Sequence, residues 1–147
     1  MNLLLLKQLS ILSAFAGAIL GFITIIPYVS FISFMLLILC LSAFVLAYLK
    51  QNELIGIISV REGCIFGAVI GFVSFLAFAV VFTPISMLLG WLIPSYTQGF
   101  MRFFLGSFGS FIVMIFLIIF MGGISALFNA FSGLVTCLLY TSPSPRD

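Results

Sequence analysis

Two uncharged apolar runs, Leu9 to Ile26 and Phe31 to Leu49, follow one another with only Pro27, Tyr28, Val29 and Ser30 between them. A helix needs about 20 apolar residues to cross roughly 30 Å of hydrocarbon, and each run has that length. A backbone without water beside it must satisfy its own N–H and C=O groups, which makes helices of both runs. With Pro27 unable to continue the first helix, the pair is expected to form a tight hairpin. In the second run, twelve Leu, Ile, Val or Phe residues contribute about −5 kcal/mol of insertion free energy, which its small polar residues do not reverse.

The segment that follows, KQNELIGIISVRE from Lys50 to Glu62, holds Lys50, Glu53, Arg61 and Glu62 and therefore lies outside hydrocarbon. Beyond it a third apolar run extends from Gly63 to Ile93, about 45 Å as a helix and too long for one upright crossing. Pro84 is expected to end or kink a span over 63–83, leaving Ile85 to Ile93 near an interface with Trp91 and Tyr96 at headgroup depth. The last run, Phe103 to Thr136, is also overlong, and Gly122 and Gly123 are the expected bend. A fourth span over about 106–128 follows; the alternative is a fifth span beginning at Gly122. The reading is an all-α polytopic transmembrane bundle of about four spans (9–26, 31–49, 63–83 and 106–128) in one integral membrane domain, residues 1–136.

Composition agrees with lipid as solvent. Of 147 residues, 65% are hydrophobic and 5% are charged, too few charges to coat a water-soluble surface. Lys7, Lys50 and Arg61 fall on one side of this topology and only Arg102 on the other. The excess of positive charge places the N-terminus and the 50–62 linker in the cytoplasm, with the bundle in the cell membrane. A competing reading makes residues 1–16 a cleaved signal peptide, but Lys7 interrupts its apolar core and hydrophobicity continues to Ile26. The scattered basic residues give no nucleic-acid footprint.

The ending CLLYTSPSPRD, Cys137 to Asp147, departs from everything before it. It looks like a translated transposase sequencing adapter over its whole length, so the native reading is expected to end near Thr136 as a truncated fragment. Cys137, Arg146 and Asp147 then carry no functional weight.

An internal match relates the first and third spans: GAILGFIT at Gly17 to Thr24 and GAVIGFVS at Gly67 to Ser74. Two spans separate the copies, so they run in the same direction, a parallel repeat of two helical hairpins. Small residues recur at every fourth position in both: Ser13, Gly17 and Gly21, then Gly63, Gly67 and Gly71. That spacing lines one helix face, where missing side chains let another backbone approach and dispersion contacts replace the hydrophobic drive that lipid does not supply. Helix packing is the plain role of these stripes; a sliding or gating interface is the sharper one.

Together the Gly-rich first span ending at Ile26 and Pro27, the second ending AFVLAYLK and the Gly-x-x-x-Gly third span after a short charged loop resemble small four-helix integral membrane proteins grouped as domains of unknown function. The resemblance covers most of Leu9 to Thr83. It implies four helices and supplies no catalytic residues.

Chemistry is scarce. The chain has no His, its only Asp lies in the tail, and its glutamates are Glu53 and Glu62, so neither a nucleophile with its base nor a metal-ligand cluster can be assembled. Cys40 and Cys64 read as small apolar residues. No cofactor and no enzymatic activity are expected. The remaining polar candidates are Trp91, Tyr96, Gln98 and Arg102, an exterior segment suited to headgroups, a solute or a partner. A non-catalytic membrane component, as a homo-oligomer or as partner of a larger complex, is the expected function; a small-solute channel or transporter subunit is the alternative.

Overall fold

The structure, a computed structural model, describes residues 3–53, 59–93 and 111–141. These form five helices: α1 (Leu3–Ile23), α2 (Ser30–Leu39), α3 (Leu41–Gln51), α4 (Val60–Leu92) and α5 (Phe111–Thr141). No strand occurs among the described residues. α1, α4 and α5 are each long and apolar enough to cross a membrane, and α2 with α3 makes a fourth if the bent pair counts as one span.

Each boundary has a local cause. α1 ends three residues earlier than its apolar run, because Ile25 and Ile26 tighten into a turn whose N–H groups donate to Phe22 O and Ile23 O ahead of Pro27. The turn is fastened by hydroxyls: Thr24 donates to Ser33 Oγ at 2.9 Å, and Ser33 donates to Leu20 O at 3.2 Å. α4 opens on a capping box in which Ser59 Oγ accepts from the Glu62 N–H and the Glu62 carboxylate accepts from the Ser59 N–H.

Helix α4 is the central element, packed mainly on α1 along one flank and α5 along another. Gly17 and Gly21 of α1 face Ser74 and Phe78 of α4, so these two helices run parallel. Gly63, Gly67 and Gly71 face residues 137, 129 and 125 in turn, so α5 runs antiparallel to α4. An aromatic cluster joins α2 to α4: Phe34 of α2 lies 6.0 Å from Phe78, centroid to centroid, and Phe78 stacks on Phe82 at 5.0 Å.

Three features differ from the sequence reading. The span expected over 31–49 is broken at Cys40, and its halves are bent by 65°. The span expected over 63–83, ended or kinked at Pro84, is part of one helix that runs through Pro84 to Leu92. A proline removes one ladder hydrogen bond, and here the surrounding turns are held by burial of Phe82 and Ser86, with Ser86 Oγ donating to Thr83 O at 2.9 Å. Nor does α5 end or divide at Gly122 and Gly123: one helix spans Phe111 to Thr141, past the expected end near 128 and into the first residues of the tail. Gly122 serves close approach, because a Cβ there would lie 3.3 Å from the Phe72 ring. Residues 106–110 of the expected fourth span lie outside the described residues.

Candidate functional site

The six stripe residues sit in two helix interfaces. Ser13, Gly17 and Gly21 turn toward α4: a Cβ on Gly17 would overlap the Ser74 carbonyl, and one on Gly21 would lie 3.3 Å from Phe78 O. Ser13 is fully buried, its hydroxyl donating to Leu9 O at 2.6 Å and so masking its polarity. Gly63, Gly67 and Gly71 turn toward α5. A Cβ on Gly63 would meet Cys137 Sγ, one on Gly67 the Asn129 backbone oxygen, and one on Gly71 would lie 2.5 Å from Ser125 O. Gly133 returns the contact from α5, where an added Cβ would be 2.5 Å from Gly63 O. The two stripes share a sequence offset yet engage different partners, α4 in one case and α5 in the other.

The exterior candidates are not brought together by the described structure. Trp91 is 83% exposed at the end of α4, and Tyr96, Gln98 and Arg102 lie outside the described residues.

At the centre lies a polar group that the sequence reading passed over. Asn129 of α5 is 0% exposed and sits against the break between α2 and α3. Its Nδ2 donates to Ile38 O at 2.8 Å and Leu37 O at 3.1 Å, the carbonyls left open at the end of α2. Its Oδ1 accepts from the Ser42 N–H at 2.8 Å, at the start of α3. One carboxamide thus caps two helix ends. Ser42 Oγ fastens the crossing by donating to the Asn129 backbone oxygen at 2.8 Å.

The network extends to α4. Ser125, one turn before Asn129, donates from Oγ to Gly71 O at 3.1 Å, and Ser74 donates to the same carbonyl at 3.2 Å. Gly71 therefore does two things: its missing side chain admits α5, and its carbonyl collects two hydroxyls. Among the described residues, no buried side-chain nitrogen or oxygen lacks a hydrogen-bond partner. A fully partnered network specifies geometry and leaves no donor or acceptor directed at a ligand.

A signal for Asn129 was present in the sequence. It is the single Asn within the apolar run Phe103 to Thr136, and Ser125, Asn129 and Gly133 share the four-residue spacing of the α4 stripe. A carboxamide in such a run has few outlets other than another helix.

The other features offer less chemistry. A groove of about 330 Å³ beside Pro84 is walled by apolar parts of Leu76, Val80, Thr83, Met87, Met114 and Ile118. Cys40 and Cys64 are free thiols, and no group of three or more His, Cys, Asp or Glu that could hold a metal ion occurs among the described residues. Compared with known proteins, the chain matches no family model, no curated protein and no solved structure.

Proposed function

We propose that this chain is a multi-pass protein of the cell membrane that works as a non-catalytic component, packing through its outer helix faces against a second copy or a larger membrane complex. The observation that carries this reading is where the polar groups and small residues are used. Both stripes and the Asn129 network join helix to helix inside the bundle. The outward faces of α1, with Ile11, Phe15 and Phe22, and of α5, with Ile112, Phe116 and Phe120, are exposed apolar surface suited to lipid or to another helix.

Extraction from its native membrane in lipid nanodiscs, followed by mass determination of the intact particle, tests this. A stoichiometric second copy or membrane partner is expected. A particle holding one chain alone that passes small solutes after reconstitution would overturn the reading in favour of a channel or transporter subunit. That alternative draws on the α2–α3 break, since broken helices line solute sites in many transporters.

The orientation proposed with it puts the N-terminus in the cytoplasm, because Lys7, Lys50 and Arg61 gather on that side. A reporter fused after Glu53 is expected to read as cytoplasmic and one fused after Ser95 as exterior; the reverse pair of signals would invert the topology.

A further inference from the structure

We propose that the α2–α3 bend is a two-state hinge and that the Asn129 carboxamide is the wedge holding it in the bent state. The proposal stands independently of whether the bundle packs with partners or passes a solute.

The local sequence does not encode the bend. Residues 31–49 contain neither proline nor glycine, the residues at which sharp helix kinks are ordinarily found, and they are rich in Leu, a strong helix former. A continuous helix through this segment would have the Ser42 N–H donate to Ile38 O and the Leu41 N–H to Leu37 O. Instead both carbonyls accept from Asn129 Nδ2, and the Ser42 N–H donates to Asn129 Oδ1. The carboxamide is thus inserted into the Ser42–Ile38 bond, with one half facing each of its former ends.

Two consequences make a second state accessible. Withdrawing the carboxamide lets the ladder close on itself, so the backbone groups at the break exchange one set of partners for another. Asn129 would keep a local acceptor in Ser125 O, to which its Nδ2 already donates at 3.0 Å. The dihedral change is concentrated at Cys40, which stands at φ −120°, ψ −9° between two regular helices and needs only to move toward ordinary helical values. The backbone on either side remains bonded, with the Cys40 N–H donating to Leu36 O and the Ala43 N–H to Cys40 O.

The wedge is carried by α5, and α5 is registered on α4 by the Gly67 and Gly71 contacts and by the Ser125 hydroxyl on Gly71 O. A displacement of α5 along α4 would draw the carboxamide out of the break. Helix packing at the glycine face and the shape of the α2–α3 span are therefore one coupled device.

Spin labels at Phe31 and Gln51, in the 147-residue chain with its three cysteines replaced by alanine, read the hinge directly. Both positions are exposed. At 1.5 Å rise per residue the backbone separation is about 25 Å with the 65° bend and about 30 Å when straight. With Asn129 present the short distance is expected to dominate. Asn129→Leu is expected to move the majority of molecules to the long distance, and Ser125→Ala, which loosens the tie to Gly71, to raise the long-distance fraction partway. If the leucine variant does not purify as a single species, Asn129→Ser serves, because a hydroxyl cannot reach both sides of the break. A folded position-129 variant that keeps the short distance would overturn the wedge; an unchanged distribution in Ser125→Ala would overturn its coupling to α4.

Discussion

Replacing Gly67 with leucine is expected to destroy the α4–α5 interface and to cost more than about 3 kcal/mol, the upper end of what overpacking does. The expectation rests on what surrounds the position. A Cβ alone would overlap the Asn129 backbone oxygen and lie 2.9 Å from Ala130 Cα, and these are backbone atoms that no rotamer change removes. Relief requires moving α5 as a body, which also pulls Asn129 from Ile38 and Ser42 and Ser125 from Gly71. Thermal midpoints in detergent, followed by size-exclusion profile, check this against Gly123→Leu. Gly123 has nothing within 4 Å of an added Cβ and is expected to tolerate the change. Equal midpoints for Gly67→Leu and the unaltered protein would show that the helices do not meet along this face.

The second large effect is expected from an almost isosteric change, Asn129→Asp. It keeps the acceptor for the Ser42 N–H and deletes the donor for Leu37 O and Ile38 O, so two carbonyl oxygens would face a carboxylate oxygen. Burying an aspartate at the centre of an apolar helix costs about 2.5 to 3.5 kcal/mol on insertion scales, and the lost hydrogen bonds act in the same direction.

Thermal midpoints in detergent check this. Asn129→Asp is expected to fall well below the unaltered protein, and equal midpoints would show that position 129 does not face these carbonyls.

Some of the site was open to sequence reasoning. Spacing of four in Ser13, Gly17 and Gly21 and in Gly63, Gly67 and Gly71 marks faces on which another backbone can come close, and both are buried against helices. The same logic applied to Ser125, Asn129 and Gly133 would have exposed the third stripe. Length and the Gly122–Gly123 pair dominate the pattern of that run, and neither points to its small and polar positions. The partners of the stripes were not legible at all. A glycine face states that something approaches and carries no information about which helix does, so two stripes related by one sequence offset could meet α4 and α5 respectively.

What the sequence determined by itself is the all-helical character, the positions of the long apolar segments and the turn before Pro27, because each is a local matter. An apolar run with a self-satisfying backbone becomes a helix wherever it lies, and a proline that cannot continue one ends it where nothing holds the next turn. Tertiary structure decided the rest. At Pro84 the helix persists because neighbouring residues are packed in the core, although the local rule predicts a stop. At Cys40 the helix breaks although no local rule predicts one, because a carboxamide 91 residues away from Ile38 takes the place of a backbone bond. Hydrophobic length reports where a helix can form; whether it stays straight depends on which side chain from another helix reaches its hydrogen-bond ladder.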